Sequence, residues 1–164
     1  SRYSIMLRKA NSKIDGHYIL DEFANKLKSL LPKYNEFEKA FIELTFTRKK
    51  TPDNLKTRYV LNKLNSYYAN KEVFDDQGSV EHILPEIHDD NETQNIGNLI
   101  LLEQDLNGRC GNKEYSQKKS IYSESSYTEV KKFISDYETW SKIDIKNRAK
   151  KLAKIYYDCI LKFD

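Results

Sequence analysis

The stretch that decides the fold reads SVEHILP (residues 79–85), a polar run EIHDDNETQN (86–95), IGNLILL (96–102) and then EQDLNGRCGNK (103–113). Two β-prone runs, 80–84 and 98–102, flank a loop carrying Asp89, Asp90, Asn91, Glu92 and Asn95, which predicts a long-looped strand pair. Gln104, Asp105, Leu106 and Asn107 follow at once and a Gly-Arg-Cys-Gly break ends them, so a short helix or turn is expected next. The order is strand, loop, strand, helix. His82 lies inside the first apolar run beside Glu81 and ahead of Pro85, Asn98 opens the second run, and Asn107 sits in the turn that follows. A neutral imidazole can take a proton near pH 7. A carboxylate and an amide oxygen are hard donors suited to magnesium or manganese. Together these are the parts of a one-metal phosphodiesterase.

The pattern EHI-x-P, GNL and LN, followed by NK and KK, resembles the HNH, or His-Me finger, nucleases with their ββα metal-binding core. Within that group it resembles the C-terminal nuclease domain of GmrSD-type modification-dependent restriction enzymes and related phage-defence proteins. TRYVLNKL (57–64), and Trp140 followed by I-x-x-R-x-x-x-L-A (145–153), look like the same domain's flanking helices, so the resemblance covers most of the chain.

That resemblance implies a mainly α fold with a small β-hairpin, a ββα-metal core embedded among helices. It implies a metal-dependent endonuclease that hydrolyses DNA phosphodiester bonds in the restriction of foreign or modified phage DNA. His82 matches the general base and Asn98 the residue that braces the loop and orients the histidine. Glu81 and Asn107 match the metal ligands. Asn107 stands where many HNH proteins have histidine, and two oxygen ligands favour one Mg2+ or Mn2+ ion over zinc. Asn112, Lys113, Lys118 and Lys119 follow the catalytic turn and are candidates for gripping phosphate. One objection is stereochemical: neighbours on a regular strand point to opposite faces, so Glu81 and His82 share a site only if the strand bends or bulges. His88 beside Asp89 and Asp90 is a rival cluster.

The 164 residues fit one domain with a core of its own, 38% hydrophobic with 12 Tyr and 7 Phe against 32% charged. A helical part (1–70), the ββα core (79–119) and C-terminal helices (126–163) divide it. The chain opens on Ser1, and the resemblance implies a larger nucleotide-binding and recognition domain upstream, so a C-terminal piece of a larger protein is expected. No apolar run is long enough for a membrane span and no leader opens the sequence, which points to the cytoplasm. Net charge is only +3, so a grip on DNA needs a local patch. Cys110 and Cys159 match no metal spacing and read as free thiols.

Outward from the core, apolar spacing predicts a core-packed helix over 18–31 and a second one carrying Phe37, Phe41, Leu44 and Phe46. Thr51-Pro52 opens a third, whose Lys56, Arg58 and Lys63 are either a solvated face or phosphate contacts. Ser126 and Glu129 form a capping-box pattern before a helical run from Val130 to Trp140, and Ile145 to Ile160 forms the last helix, from which Arg148 could reach phosphate. Two other readings remain beside the DNA endonuclease: an RNase or non-specific nuclease of the same fold, and a non-catalytic module that binds nucleic acid or a partner. Tyrosine-rich helices hint at a partner face, with a homo-oligomer one option.

Overall fold

A computed structural model describes residues 2–49, 51–70, 78–86 and 90–161. Strands β1 (Gly78–His82) and β2 (Leu99–Glu103) pair antiparallel, with Val80 opposite Leu101, Glu81 opposite Ile100 and His82 opposite Leu99. Both are displaced from the predicted runs. Asn98 closes a 3-10 turn (Ile96–Asn98) instead of opening β2, and β1 stops at His82 although Ile83 N–H still donates to the Asn98 carbonyl at 2.9 Å.

Helices surround this hairpin, so the protein is mainly helical: α1 (Arg2–Arg8), α2 (Lys13–Leu30), α3 (Tyr34–Phe41), α4 (Pro52–Ala69), α5 (Asn91–Gln94), α6 (Gln104–Cys110), α7 (Tyr115–Tyr122), α8 (Thr128–Asp136) and α9 (Lys142–Ile155), which runs on into a π turn (Tyr156–Ile160). The unbroken run Leu99-Ile-Leu-Leu102 is explained by burial on both faces. Ile100 and Leu102 join Leu106, Cys110, Tyr122, Phe133 and Trp140 on one side. Leu99 and Leu101 join Leu61, Leu64, Ala149 and Leu152 on the other. The sheet is therefore the middle layer between α6–α8 and the pair α4 and α9. Gly97 is where α9 comes closest, since a Cβ there would run into the Ile145 carbonyl.

Several flanking expectations are corrected. Helix α2 starts earlier, at Lys13, because the Ser12 hydroxyl accepts from Asp15 N–H at 3.1 Å. It buries only Ile19 and leaves Ile14, Tyr18, Leu20 and Leu30 exposed, so the expected core packing is confined to one residue. The second helix ends at Phe41; Leu44 and Phe46 lie on a non-helical segment tied to α5 and the 3-10 turn by Ile96 N–H to the Leu44 carbonyl (2.8 Å) and Phe46 N–H to the Gln94 carbonyl (2.9 Å). The capping box does not form: Tyr127 takes the N-cap position, the Ser126 hydroxyl donates to Glu103 Oε1 at 2.7 Å, and Glu129 turns inward to Arg148. Helix α8 ends at Asp136, which leaves Trp140 in the connection with its ring edge-on to Phe133. Helix α4 opens as expected, with Thr51 at the cap and Pro52 in its first turn. Cys110 is buried and Cys159 exposed, both as free thiols. Among the described residues no helix is long and apolar enough to cross a membrane.

Candidate active site

Strand alternation separates the two neighbours of the EH pair. Glu81, opposite Ile100, faces α6 and α7; His82, opposite Leu99, faces the segment after α3. No bulge brings them together, as the register runs unbroken from Gly78 to His82.

On the Glu81 face lies a buried ion pair. Lys118 Nζ is 2.7 Å from Glu81 Oε1, and the two side chains are 0% and 4% exposed. Tyr122 donates its hydroxyl to the same oxygen at 3.1 Å. Lys118 also donates to the His82 carbonyl at 2.6 Å and to the Ile83 carbonyl at 3.3 Å. Burial pushes the Glu81 carboxyl above its usual range, and Lys118 pulls it back. Lys118 is thus a clamp on the end of β1 and not at the surface where a phosphate would meet it.

On the other face His82 is buried, 7% exposed, with Nε2 at 2.9 Å from the Phe46 carbonyl oxygen. A carbonyl can only accept, so Nε2 carries the hydrogen and, in the neutral ring, Nδ1 carries the lone pair. Burial lowers the His82 pKa; the Phe46 carbonyl and the Glu86 charge oppose that, while Arg48 and Lys118 add to it. The imidazole is therefore neutral near pH 7 and able to accept a proton.

Asn98 is a brace. Its Oδ1 accepts from Leu84 N–H (2.9 Å) and the Trp140 indole N–H (3.0 Å), and its Nδ2 donates to the Leu84 (2.9 Å) and Thr93 (2.7 Å) carbonyls. It fixes the chain just after His82 without bonding the imidazole. Asn107, on α6, donates from Nδ2 to Ser79 Oγ (2.8 Å) and the Val80 carbonyl (3.1 Å), which ties α6 to β1 and leaves Oδ1 for another partner. Asn112 and Lys113 are exposed beyond α6; Asn112 Oδ1 accepts from Arg48 Nη2 at 2.9 Å, and Lys113 is bonded to the Arg109 carbonyl. Lys119 pairs with Glu138 at 2.7 Å. Arg148 is buried, bonding Glu129 and the Gly97 and Leu99 carbonyls, so it reaches no phosphate. Arg58 is turned to the Gly78 carbonyl at 2.7 Å. His88 and Asp89 lie outside the described residues, and Asp90 pairs with Lys142 at 2.9 Å.

As arranged, Glu81 is not free to ligate a divalent ion. Glu81 already holds a cation at contact distance, and among the described residues no group of three His, Cys, Asp or Glu side chains is placed to hold a metal.

Three participants have no local signature in the sequence. The Phe46 carbonyl orients His82 from 36 positions upstream. Glu86, its side chain 10% exposed, accepts the Arg48 backbone N–H at 3.3 Å and lies 3.4 Å from Arg48 Nε. Arg48 itself, 66% exposed, was one residue in the basic run TRKK (47–50). That run and the position of Glu86 just after Pro85 were the available hints.

No curated protein matches the chain. Residues 31–155 match the family model of the C-terminal domain of GmrSD restriction endonucleases, a span that takes in the hairpin, α3 to α9 and every candidate site residue but omits α1 and α2. The chain therefore belongs to the C-terminal nuclease-domain family of the GmrSD restriction endonucleases.

Proposed function

We propose that the domain is an endonuclease that hydrolyses DNA phosphodiester bonds in the restriction of foreign or modified phage DNA, with β1, β2 and α6 as an HNH-type ββα-metal core. The observation that carries this reading is His82: a buried, neutral imidazole with one nitrogen committed to the Phe46 carbonyl and the other left to take a proton. In the proposed step Nδ1 removes a proton from the water that attacks phosphorus, the bond from phosphorus to the 3′ oxygen breaks, the departing 3′ oxygen takes a proton from solvent water, and the imidazolium returns its proton to solvent. Glu86 lends negative charge to the imidazolium that forms. Lys118 and Asn98 hold the backbone at His82 and just after it, so the base is pre-positioned.

The reading includes one divalent ion, Mg2+ or Mn2+, to stabilise charge on the phosphate. Asn107 Oδ1, which no buried pair engages, would be the residue holding such an ion, and the ion would supply positive charge at the phosphate. It also includes DNA as the partner and, through the family, an upstream nucleotide-binding and recognition domain in a cytoplasmic protein. One observation favours the alternative of a non-catalytic binding module: the Glu81 carboxylate is neutralised by Lys118.

Incubation of supercoiled plasmid, and in parallel of a structured RNA, with Mg2+ or Mn2+ separates these readings. Nicking or linearisation of the plasmid that disappears in EDTA and in His82→Ala supports the endonuclease. Degradation confined to the RNA moves the assignment to an RNase, and the absence of cleavage with retained DNA binding favours the module.

A further inference from the structure

A second group stands beside the proposed base, built from three separated parts of the chain. Arg48 comes from the segment after α3, Glu86 from the loop after β1, and Asn112 from the turn after α6. The Glu86 side chain is nine-tenths buried, yet among the described residues its Oε2 has no hydrogen-bond partner, while Oε1 accepts the Arg48 backbone N–H at 3.3 Å and the Gln94 amide at 3.5 Å. Arg48 Nε stands 3.4 Å from that Oε2 and Nη2 donates to Asn112 Oδ1 at 2.9 Å, so the guanidinium is set at both edges while its side chain stays 66% exposed. The same segment supplies, at Phe46, the carbonyl that orients His82.

Among the described residues, the two cations whose charge acts most on His82 are Lys118, buried against Glu81, and Arg48, which faces solvent. Among the described residues the other cations around the catalytic turn are engaged: Arg109 bidentately with Glu124 (2.7 and 2.6 Å), Lys119 with Glu138 (2.7 Å) and Lys113 with the Arg109 carbonyl. A guanidinium has five N–H donors in a planar fork that matches two phosphate oxygens. One Arg48 donor goes to Asn112, which leaves others for an anion. We propose that Arg48, held by the buried Glu86 carboxylate and by Asn112, is the residue that positions the substrate phosphodiester against His82.

This deepens the nuclease reading and rests on it, yet it is testable without turnover. Binding of a short fluorescent DNA duplex to the full chain is measured in EDTA over a series of salt concentrations. Arg48→Ala should weaken binding about tenfold, the order of a lost charge-assisted hydrogen bond, and lower the slope of log K against log salt by about one. Arg48→Lys should restore the slope but only part of the affinity, because an ammonium lacks the fork. Glu86→Gln should fall between wild type and Arg48→Ala, by freeing the guanidinium to wander. With turnover, Arg48→Ala should raise KM and lower kcat, whereas a merely structural loss would appear as a lower melting temperature. Unchanged affinity and salt slope in Arg48→Ala, or no DNA binding by either protein, overturns the proposal. The two readings fail separately: a cleaving wild type with unchanged Arg48→Ala binding sinks Arg48 alone, and weakened binding with no cleavage sinks the nuclease alone.

Discussion

The two faces of β1 differ in kind although they belong to adjacent residues. Behind Glu81 the charge is sealed: an ammonium and a phenol close on one carboxylate oxygen, and neither charged side chain is exposed. Beside His82 the polar groups grade outward, from a buried imidazole through a nearly buried Glu86 to an exposed Arg48. A sealed pair fixes geometry, because breaking it strands a charge in the interior. A graded set can meet a substrate. On the proposed reading the motif divides its work by strand alternation, with Glu81 anchoring the strand from within and His82 supplying the base.

The sharpest way to break this contrast is His82→Ala. Loss of the proposed general base should cut cleavage by about 10^2 to 10^4-fold, while urea unfolding records a loss of about 1–3 kcal/mol from the vacated ring and the unpaired Phe46 carbonyl, which leaves the variant folded. An equally active variant would place the chemistry elsewhere. On the sealed face the expected effect is on folding: Lys118→Ala leaves Glu81 unpaired and should cost about 3–5 kcal/mol of stability in urea titrations. Pairing Glu81→Gln with Lys118→Met should recover much of that loss, and failure to recover it would mean that the bonds from Lys118 to the His82 and Ile83 carbonyls matter more than the charge pair. Asn98→Ala strips four partners from a buried position and should cost about 2–4 kcal/mol, with cleavage reduced because the chain after His82 loosens.

The smallest effect is in pH dependence. Burial depresses the His82 pKa below its ordinary 6.5, so the acid limb of cleavage should have its midpoint below that value. Removing the Glu86 charge in Glu86→Gln should move the limb further down, and removing the Arg48 charge in Arg48→Ala should move it up. Stability follows the same sign. Between the folded pKa and 6.5 the unfolded chain binds the proton that the folded chain refuses, so the His82 contribution is complete above pH 6.5 and is lost as pH falls below it. Titration curves of unfolding for wild type and His82→Gln, which should diverge only on the acid side, check this.

The hairpin was legible because LILL and the EHILP run are short, β-prone and bounded by Pro, Gly and Asn. Its helix followed for the same reason. Lys118 was misplaced because KK beside NK reads as a cationic rim, yet the helical period already put it on the inner stripe: Tyr115 is three residues before it and Tyr122 four after, and both are buried. Arg48 and Glu86 were beyond local reading, since their meeting depends on a loop 38 residues away in sequence being laid against the end of β1. The exposed apolar residues of α2 mislead in the other direction, as helical spacing predicts an apolar face but not what covers it.

The central claim is that the His82 face carries the chemistry and the Glu81 face carries the scaffold. Cleavage of supercoiled plasmid in Mg2+ by His82→Ala and by the double variant Glu81→Gln with Lys118→Met, each first shown to be folded by its urea transition, tests it most directly. The expected result is a silent His82→Ala and a double variant that still nicks DNA. A folded double variant with no activity beside an active His82→Ala would contradict it.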